Sequence, residues 1–288
     1  MKKAHDSGAF WFVIPLLAVM TTFMLYPALT TFYYGFTSWN GFSSPEWQGF
    51  ANFRRLFADE SFHAALKNTL ILACYVPLWV VGPLVIAAVI REGISGSGFF
   101  RVASLIPFVV SPVILGILFK VILNDGGPVV LLIRQLTGNP EARSWLAESS
   151  LTIHISALVT LFKFFGFGVI LFFGAMSKIS ASLFDAAKVD GCSWFRTQLA
   201  VTVPGIRHTI EFFTVLGLIT FFARMFPLIF TLTGGGPGYS SFVPEFGIYF
   251  QAFQNNRLGY SATWAIFVYL LTFAVLVGQI AMMRGENE

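Results

Sequence analysis

The strongest candidates for functional chemistry lie in one polar segment between two strongly apolar stretches. The sequence of this segment is SLFDAAKVDGCSWFRTQLAVTVP. Ser182 followed three residues later by Asp185 has the pattern of a capping box, and Gly191 is a natural helix stop. A second amphipathic run begins at Trp194 and is predicted to end before Pro204, because the residue before a proline is biased away from the helix. The charged residues of the segment are Asp185, Lys188, Asp190 and Arg196. Such a helical hairpin is typical of a docking surface, and a solvated connector is the alternative interpretation.

Two further cations, Lys163 and Arg224, fall inside otherwise apolar runs. A charge placed in hydrocarbon is costly and usually faces a bundle interior or water, so both residues are candidates for a substrate path. The alternative for Lys163 is a bond to a backbone carbonyl or to a helix of a partner. The alternative for Arg224 is an ion pair within an assembly.

Several other kinds of chemistry are excluded by the motifs that the sequence lacks. The glycine clusters at Asn124–Pro128 and Thr233–Gly238 contain no G-x-x-x-x-G-K-[ST], so they predict helix stops and not a nucleotide site. No H-E-x-x-H occurs and His154 stands alone, which argues against an intramembrane enzyme and leaves no catalytic residue. Cys74 and Cys192 have neither a disulfide framework nor metal-ligand spacing, so we expect no metal site.

The composition defines the class of protein that must position these residues. Hydrophobic residues make up 56% of the 288 residues, charged residues 11%, and the mean hydropathy is +0.74. Soluble domains carry about 25% charged residues, so this balance predicts an all-α integral membrane protein in contact with lipid. The net charge of +4 is small and dispersed, which gives no indication of nucleic-acid binding.

Six apolar runs are long enough to cross about 30 Å of hydrocarbon as helices. They are predicted at residues 10–36, 64–90, 102–123, 151–175, 209–232 and 262–283, within a single transmembrane domain over residues 1–288. The first run is too long for a cleaved signal peptide and contains Pro15 and Pro27. The prolines predicted to kink the other spans are Pro77, Pro83, Pro107, Pro112 and Pro227.

Loop charges favour both termini in the cytoplasm of a multi-pass protein, with nine cations on that side against seven outside. The inner set is Lys2, Lys3, Arg91, Arg101, Lys178, Lys188, Arg196, Arg207 and Arg284. The outer set is Arg54, Arg55, Lys67, Lys120, Arg134, Arg143 and Arg257. This arrangement places the polar segment, as a loop over residues 178–206, in the cytoplasm.

An ordered set of motifs resembles the maltose-type carbohydrate permeases of ABC importers, over nearly the whole chain. FDAAKVDG followed by Pro204 resembles their EAA loop, although Asp185 stands where Glu is usual and Cys192 where Ala is usual. The other matching motifs are GFANF at 49–53, LKNTL at 66–70, FFRVASLIPFVVSPVILGILFKVIL at 99–123 and LTGGGPG at 232–238.

The resemblance implies a six-span permease bundle of the type I ABC importer kind in a prokaryotic plasma (inner) membrane. Its expected partners are a second homologous permease, two ATPase subunits and an extracytoplasmic solute-binding protein. ATP and Mg would be bound by the ATPase subunits, and this chain would bind no cofactor. The ATPase-coupling residues would be Asp185, Ala186, Ala187, Lys188, Asp190 and Gly191.

The resemblance also implies a function, alternating access for a sugar or oligosaccharide driven by ATPase closure. Residues Phe222–Phe226 correspond to fifth-span positions that contact sugar in the maltose-type subunit. Those positions carry amides there and read Phe222 and Met225 here, with Arg224 between them, so the substrate need not be maltose. Glycerol phosphate or another small polar, anionic solute is the alternative within the class. A stand-alone secondary transporter or channel is the alternative from another class.

Overall fold

The structure is a computed structural model that describes residues 7–93, 96–139 and 143–285. Lys2 and Lys3, counted above for the topology, lie outside these residues. The helices up to residue 137 are α1 (Ser7–Met20), α2 (Tyr26–Tyr34), α3 (Ala51–Phe57), α4 (Glu60–Ala73), α5 (Val76–Arg91), α6 (Ser97–Ser104), α7 (Ile106–Val109), α8 (Pro112–Leu123) and α9 (Pro128–Thr137). The later helices are α10 (Thr152–Met176), α11 (Ala181–Val189), α12 (Trp194–Thr197), α13 (Val203–Gly205), α14 (Arg207–Ala223), α15 (Phe226–Leu232), α16 (Pro244–Tyr249) and α17 (Leu258–Gly285).

Short elements complete the described residues. Strands β1 (Thr37–Ser38) and β2 (Glu46–Trp47) pair antiparallel, with Thr37 opposite Trp47. A 3-10 turn covers Trp145–Ala147. Turns of π-helix cover Thr21–Leu25, Gln198–Thr202 and Phe250–Gln254.

In the part of the chain that the structure describes, five helical segments are long and apolar enough to cross a membrane. They are Val13–Tyr34, Glu60–Arg91, Pro112–Thr137, Thr152–Met176 and Leu258–Gln279. A sixth is added if Trp194–Gly205 and Arg207–Ala223, which meet at a bend of 81°, count as one span. These helices are those of a helical membrane bundle.

Most of the prolines predicted to kink the later spans lie at the start of helices instead. The predicted span 102–123 is divided into α6, α7 and α8, with Pro107 in the first turn of α7 and Pro112 at the start of α8. Pro77 and Pro227 likewise occupy the first turns of α5 and α15. Because proline lacks an N–H that a first turn does not need, these residues begin new helices. Among the five prolines predicted to kink the later spans, Pro83 differs from the others because it lies inside α5.

The helix that begins at Trp194 does not end before Pro204, as the sequence analysis predicted. It passes through Pro204 to Gly205 by way of the π-helical turn Gln198–Thr202, in which the Val203 N–H donates to the Gln198 carbonyl. The π-helical turn after α1 has the same placement, since it ends two residues before Pro27. Widening the helix by one residue per turn avoids the clash between a proline ring and the preceding turn.

The described chain divides into two compact units, and the first consists of residues up to Phe62 with Gly247–Leu270. Its core includes Phe62, whose ring meets that of Trp264 edge to face at 5.2 Å. The buried Asn52 amide donates to the carbonyls of Gly35 (3.1 Å) and Thr37 (2.8 Å), so it fixes the chain between α2 and β1. These contacts hold the loop that precedes α3.

The second unit consists of His63–Phe246 with the segment from Leu271 onward. Helix α10 packs on α5. From α5, the Trp79 Nε1–H donates to the carbonyl of Phe213 in α14 at 3.0 Å. Gly166 and Gly168 let other elements approach α10, because a Cβ at Gly166 would collide with the Ser104 backbone. Both candidate sites of the sequence analysis, the polar segment and the cations of the apolar runs, lie in this unit.

Candidate functional site

The polar segment folds as a short helix, α11, whose start differs from the predicted capping box. The residue before the helix is Ser180, and no side chain caps the first turn. Ser182 lies inside the helix and shares a hydroxyl hydrogen bond with Ser180 at 2.7 Å. Asp185 therefore sits in the middle of α11 as an exposed side chain and not at a capping position.

The end of α11 confirms the predicted stop at Gly191. This glycine has φ +68, the left-handed conformation that glycine adopts with least strain. The Cys192 N–H donates to the Ala187 carbonyl (2.9 Å) and the Gly191 N–H to the Lys188 carbonyl (3.0 Å). This pair of bonds is the Schellman motif, which satisfies the last carbonyls of a helix.

The exposed face of α11 contains apolar residues that the sequence analysis missed. Val189 is 87% exposed and Leu183 is 54% exposed, and Ala186 between them is exposed as well. Ala187, predicted beside Ala186 on one docking face, is instead buried in this chain at 8% exposure. The i, i+3, i+6 spacing of Leu183, Ala186 and Val189 is the signal that would have found this stripe.

The polar residues among the predicted ATPase-coupling residues border the exposed apolar face of α11. Asp185, Lys188, Asp190 and Gly191 are all exposed. None of the three charged side chains forms a salt bridge within the described residues. An apolar stripe bordered by unpaired charges has the composition of a protein interface, with an apolar centre and a polar rim.

The buried face of α11 is attached to the end of α5. The guanidinium of Arg91, the last residue of α5, lies over the Phe184 ring at 3.3 Å from the ring centroid. Phe184 itself is 7% exposed. A cavity of about 500 Å³ adjoins this contact and is lined by Arg91, Phe184, Asp185, Lys188 and Trp194, among others. The cation–π contact therefore links the exposed helix to a long helix of the unit.

The second candidate site lies where the fifth predicted span, 209–232, is interrupted. Helix α14 ends at Ala223 and α15 begins at Phe226, so Arg224 and Met225 form the break. The Met225 N–H has no partner within a continuous helix and donates to the Glu245 carboxylate at 3.0 Å. Glu245 lies in α16, outside the predicted spans, and this hydrogen bond holds the break between α14 and α15 in place.

A cavity of about 170 Å³ opens at this break and brings three of the four predicted path residues together. Lys163, Arg224 and Met225 line it, along with the hydroxyl residues Thr160 and Thr220. Phe222 is buried at 6% exposure and does not line the cavity. The helical backbone turns Phe222 away from the break, which spacing alone did not reveal.

The two cations of the cavity differ in how they are bonded. Lys163 Nζ donates to the carbonyls of Phe108 (2.7 Å) and Val110, where α7 ends, as its alternative interpretation predicted. Arg224 is exposed, and its guanidinium has no hydrogen bond or ion pair within the described residues. Within the described residues, the Lys163 ammonium is therefore bonded to the backbone, and the Arg224 guanidinium is not bonded.

Comparison with known proteins yields matches along almost the full length of the chain. No family model matches the sequence. The diacetylchitobiose uptake system permease protein NgcF of Streptomyces coelicolor is 30% identical over 291 residues, covering 94% of this chain and 81% of that protein. The sn-glycerol-3-phosphate transport system permease protein UgpA of Yersinia pestis is 27% identical, covering 95% of this chain and 93% of that protein.

A solved structure shares the fold. It is a chain of a bacterial ABC transporter involved in the import of the acidic polysaccharide alginate, with a TM-score of 0.84 and 23% identity. The match covers 97% of this chain and 96% of that chain.

The helices and the shared fold define an all-helical membrane bundle of the kind found in ABC importer permeases. The chain belongs to the family of carbohydrate-type ABC importer permeases, as its motifs predict.

Proposed function

We propose that this chain is the permease subunit of an ATP-driven importer for a sugar or oligosaccharide. The observation that carries the proposal is α11, a well-ended helix with an exposed apolar stripe and unpaired rim charges, in a chain without a phosphate-binding loop. The names of its relatives support a carbohydrate substrate. Energy must then enter from a partner, and α11 is the element built to receive it.

In this proposal α11 is the EAA coupling helix and inserts into a cleft of an ATPase subunit. Ala186, with Leu183 and Val189, meets the floor of the cleft, and Asp185, Lys188 and Asp190 pair with polar groups at its rim. Gly191 ends the helix so that the chain turns back towards α12. When two ATPase subunits close on ATP and Mg, they move both coupling helices and switch the bundle between inward-facing and outward-facing states.

The assembly proposed here has two permeases, two ATPase subunits and an extracytoplasmic solute-binding protein. Both termini of this chain and its loop 178–206 lie in the cytoplasm, in a prokaryotic plasma (inner) membrane. The solute-binding protein docks on the outer loops and supplies most of the selectivity. This chain has no catalytic residue and no cofactor of its own.

The substrate path in this proposal passes the break between α14 and α15. The Arg224 guanidinium, which has no partner among the described residues, binds sugar hydroxyls or an anionic group, and Met225 and the two threonines supply the remaining surface. In this proposal Lys163 and Phe222 have a structural role and do not contact the substrate. The unpaired Arg224 also favours the second candidate, an importer for glycerol phosphate or another small anionic solute.

Reconstitution of the purified components into lipid vesicles tests the proposed function. Labelled oligosaccharides and labelled glycerol phosphate are offered with the solute-binding protein outside and ATP inside. We expect uptake of an oligosaccharide that stops when the ATPase, ATP or the solute-binding protein is omitted. Uptake by this chain without ATPase would instead identify a stand-alone transporter, and uptake of glycerol phosphate alone would favour the second candidate.

A further inference from the structure

The first unit contains a polar pocket that the permease mechanism does not use. It has a volume of about 300 Å³ and lies between the β1–β2 loop, α3 and the start of α17. Its lining residues are Thr37, Ser38, Trp39, Asn40, Ser43, Gln48, Asn52, Arg55, Asn256, Arg257 and Tyr260. We call it the arginine pocket, because it contains two guanidinium groups and none of its lining residues is acidic.

The walls of the arginine pocket are built and held by buried contacts. The Asn52 amide ties the end of α2 to β1, as described above. Gly259 brings the start of α17 against β1, since a Cβ there would collide with the Thr37 carbonyl. The Gly259 N–H donates to the Trp39 carbonyl at 2.8 Å. The pocket is therefore set by the fold of this unit and not by a loose loop.

Within the described residues, neither guanidinium of the pocket, that of Arg55 or that of Arg257, has an ion pair. Arg55 lies over the Tyr260 ring at 4.7 Å. Asp59, the acid near Tyr260, accepts hydrogen bonds from the Tyr260 hydroxyl (2.7 Å) and from Ser61. Two exposed guanidinium groups beside amide and hydroxyl groups suit a carboxylate, which accepts bidentate bonds.

The surroundings of the pocket indicate that the carboxylate belongs to a protein. Exposed aromatic residues adjoin the lining residues in sequence: Phe42 is 89% exposed, Trp47 64% and Phe50 65%. Aromatic and arginine side chains are the residues enriched where protein interfaces gain most of their binding energy. In the proposed topology the pocket faces outward, on the side where the solute-binding protein docks.

We infer that the arginine pocket receives an acidic side chain of the extracytoplasmic solute-binding protein and anchors it to this unit. The inference rests on the proposed function, which supplies that partner. The anchor would act in every transport cycle, since electrostatic complementarity speeds association and fixes the orientation of the docked partner.

The test measures binding of the purified solute-binding protein of the same transport system to the complete transporter in phosphatidylcholine nanodiscs. Arg55→Glu with Arg257→Glu is compared with Arg54→Glu, a neighbouring exposed arginine that does not line the pocket. We expect the double variant to weaken binding about tenfold or more and to lose much of the salt dependence. The Arg54→Glu variant should bind within about threefold of the wild type. Size-exclusion profiles and ATPase activity without the solute-binding protein show whether each variant is folded.

Equal binding by the double variant and the wild type would overturn the inference and leave the proposed function intact. Failure of the wild type to bind the solute-binding protein would count against the proposed function itself. A binding defect that appears only when anionic lipid is added to the nanodiscs would assign the pocket to lipid headgroups and overturn the inference as well. Replacing an acidic surface residue of the solute-binding protein with lysine should restore binding to the double variant at one position.

Discussion

At the scale of single residues, Gly191 has the clearest requirement, because its φ of +68 strains any residue with a Cβ. A Cβ at Gly191 would meet no described atom within 4 Å apart from its chain neighbours, so the requirement comes from the local backbone conformation and not from packing. We predict that Gly191→Val abolishes uptake while the protein remains inserted in the membrane. Gly138→Val is the matched control, since Gly138 has φ +65 and equally open surroundings but lies after α9. Normal uptake by Gly191→Val would contradict the role assigned to this turn.

The second prediction at the scale of residues concerns the effect of Arg224 on substrate affinity. Its guanidinium is unpaired beside the cavity at the break, so Arg224→Ala should raise the KM for uptake by about tenfold, the loss of one or two charge-assisted hydrogen bonds. Arg224→Lys should retain part of the affinity, because the charge remains and the bidentate geometry is lost. The measurement is uptake kinetics in vesicles at saturating solute-binding protein. Kinetics unchanged in Arg224→Ala for every sugar tested would return this residue to a structural role.

Glu245 supports a prediction about pH. Its Oε2 is buried and has no hydrogen-bond partner among the described residues, and burial raises the pKa of this carboxyl from 4.5 to about 7. The native state therefore keeps a proton that the unfolded state loses, so stability falls as pH rises from about 4.5 to about 7 and then levels off. Thermal unfolding in detergent should show this fall in the wild type.

Glu245→Gln is the informative variant, because its amide oxygen can still accept from the Met225 N–H and carries no charge. We expect its melting temperature to change less between pH 5 and pH 8 than that of the wild type. An identical pH profile in both proteins would show that Glu245 does not titrate in this range.

At the scale of elements, the proposed mechanism requires the contact between α5 and α11 to pass movement of α11 to the rest of the bundle. Arg91→Ala removes the guanidinium that lies 3.3 Å from the centroid of the Phe184 ring. We predict that ATP hydrolysis continues while the number of solutes imported per ATP falls severalfold, because α11 then moves independently of α5. Arg101→Ala is the control, since Arg101 makes a similar contact with Phe173 away from α11. A fall of the same size in both variants would assign the Arg91 contact to general stability.

The same elements show what the sequence can and cannot predict. The stop at Gly191 follows from one residue and its near neighbours, so the sequence suffices for it. Whether Ala187 faces the chain or a partner depends on what packs against α11, so the sequence alone did not reveal that Ala187 is buried within this chain. The prediction that the helix from Trp194 ends before Pro204 is also wrong, because a π-helical turn lets the helix continue through Pro204.

At the scale of the whole molecule, the family and the helical membrane class follow from composition and ordered motifs, and the relatives confirm them. The cavity at the break was only partly predictable. Its cations stand out in apolar runs, whereas the bond from Glu245 joins residues 20 positions apart and leaves no local signal. The arginine pocket likewise needs residues from both ends of the first unit.

The central claim is that α11 receives the energy of ATP hydrolysis and converts it into transport. The most direct measurement is uptake per ATP hydrolysed in reconstituted vesicles, for the wild type and for Asp190→Lys, which reverses an exposed, unpaired charge at the end of α11. We predict that Asp190→Lys assembles in the membrane but imports no solute and no longer couples ATPase activity to the solute-binding protein. Uptake by Asp190→Lys at the wild-type ratio, or uptake by the wild type without its ATPase, would contradict the claim.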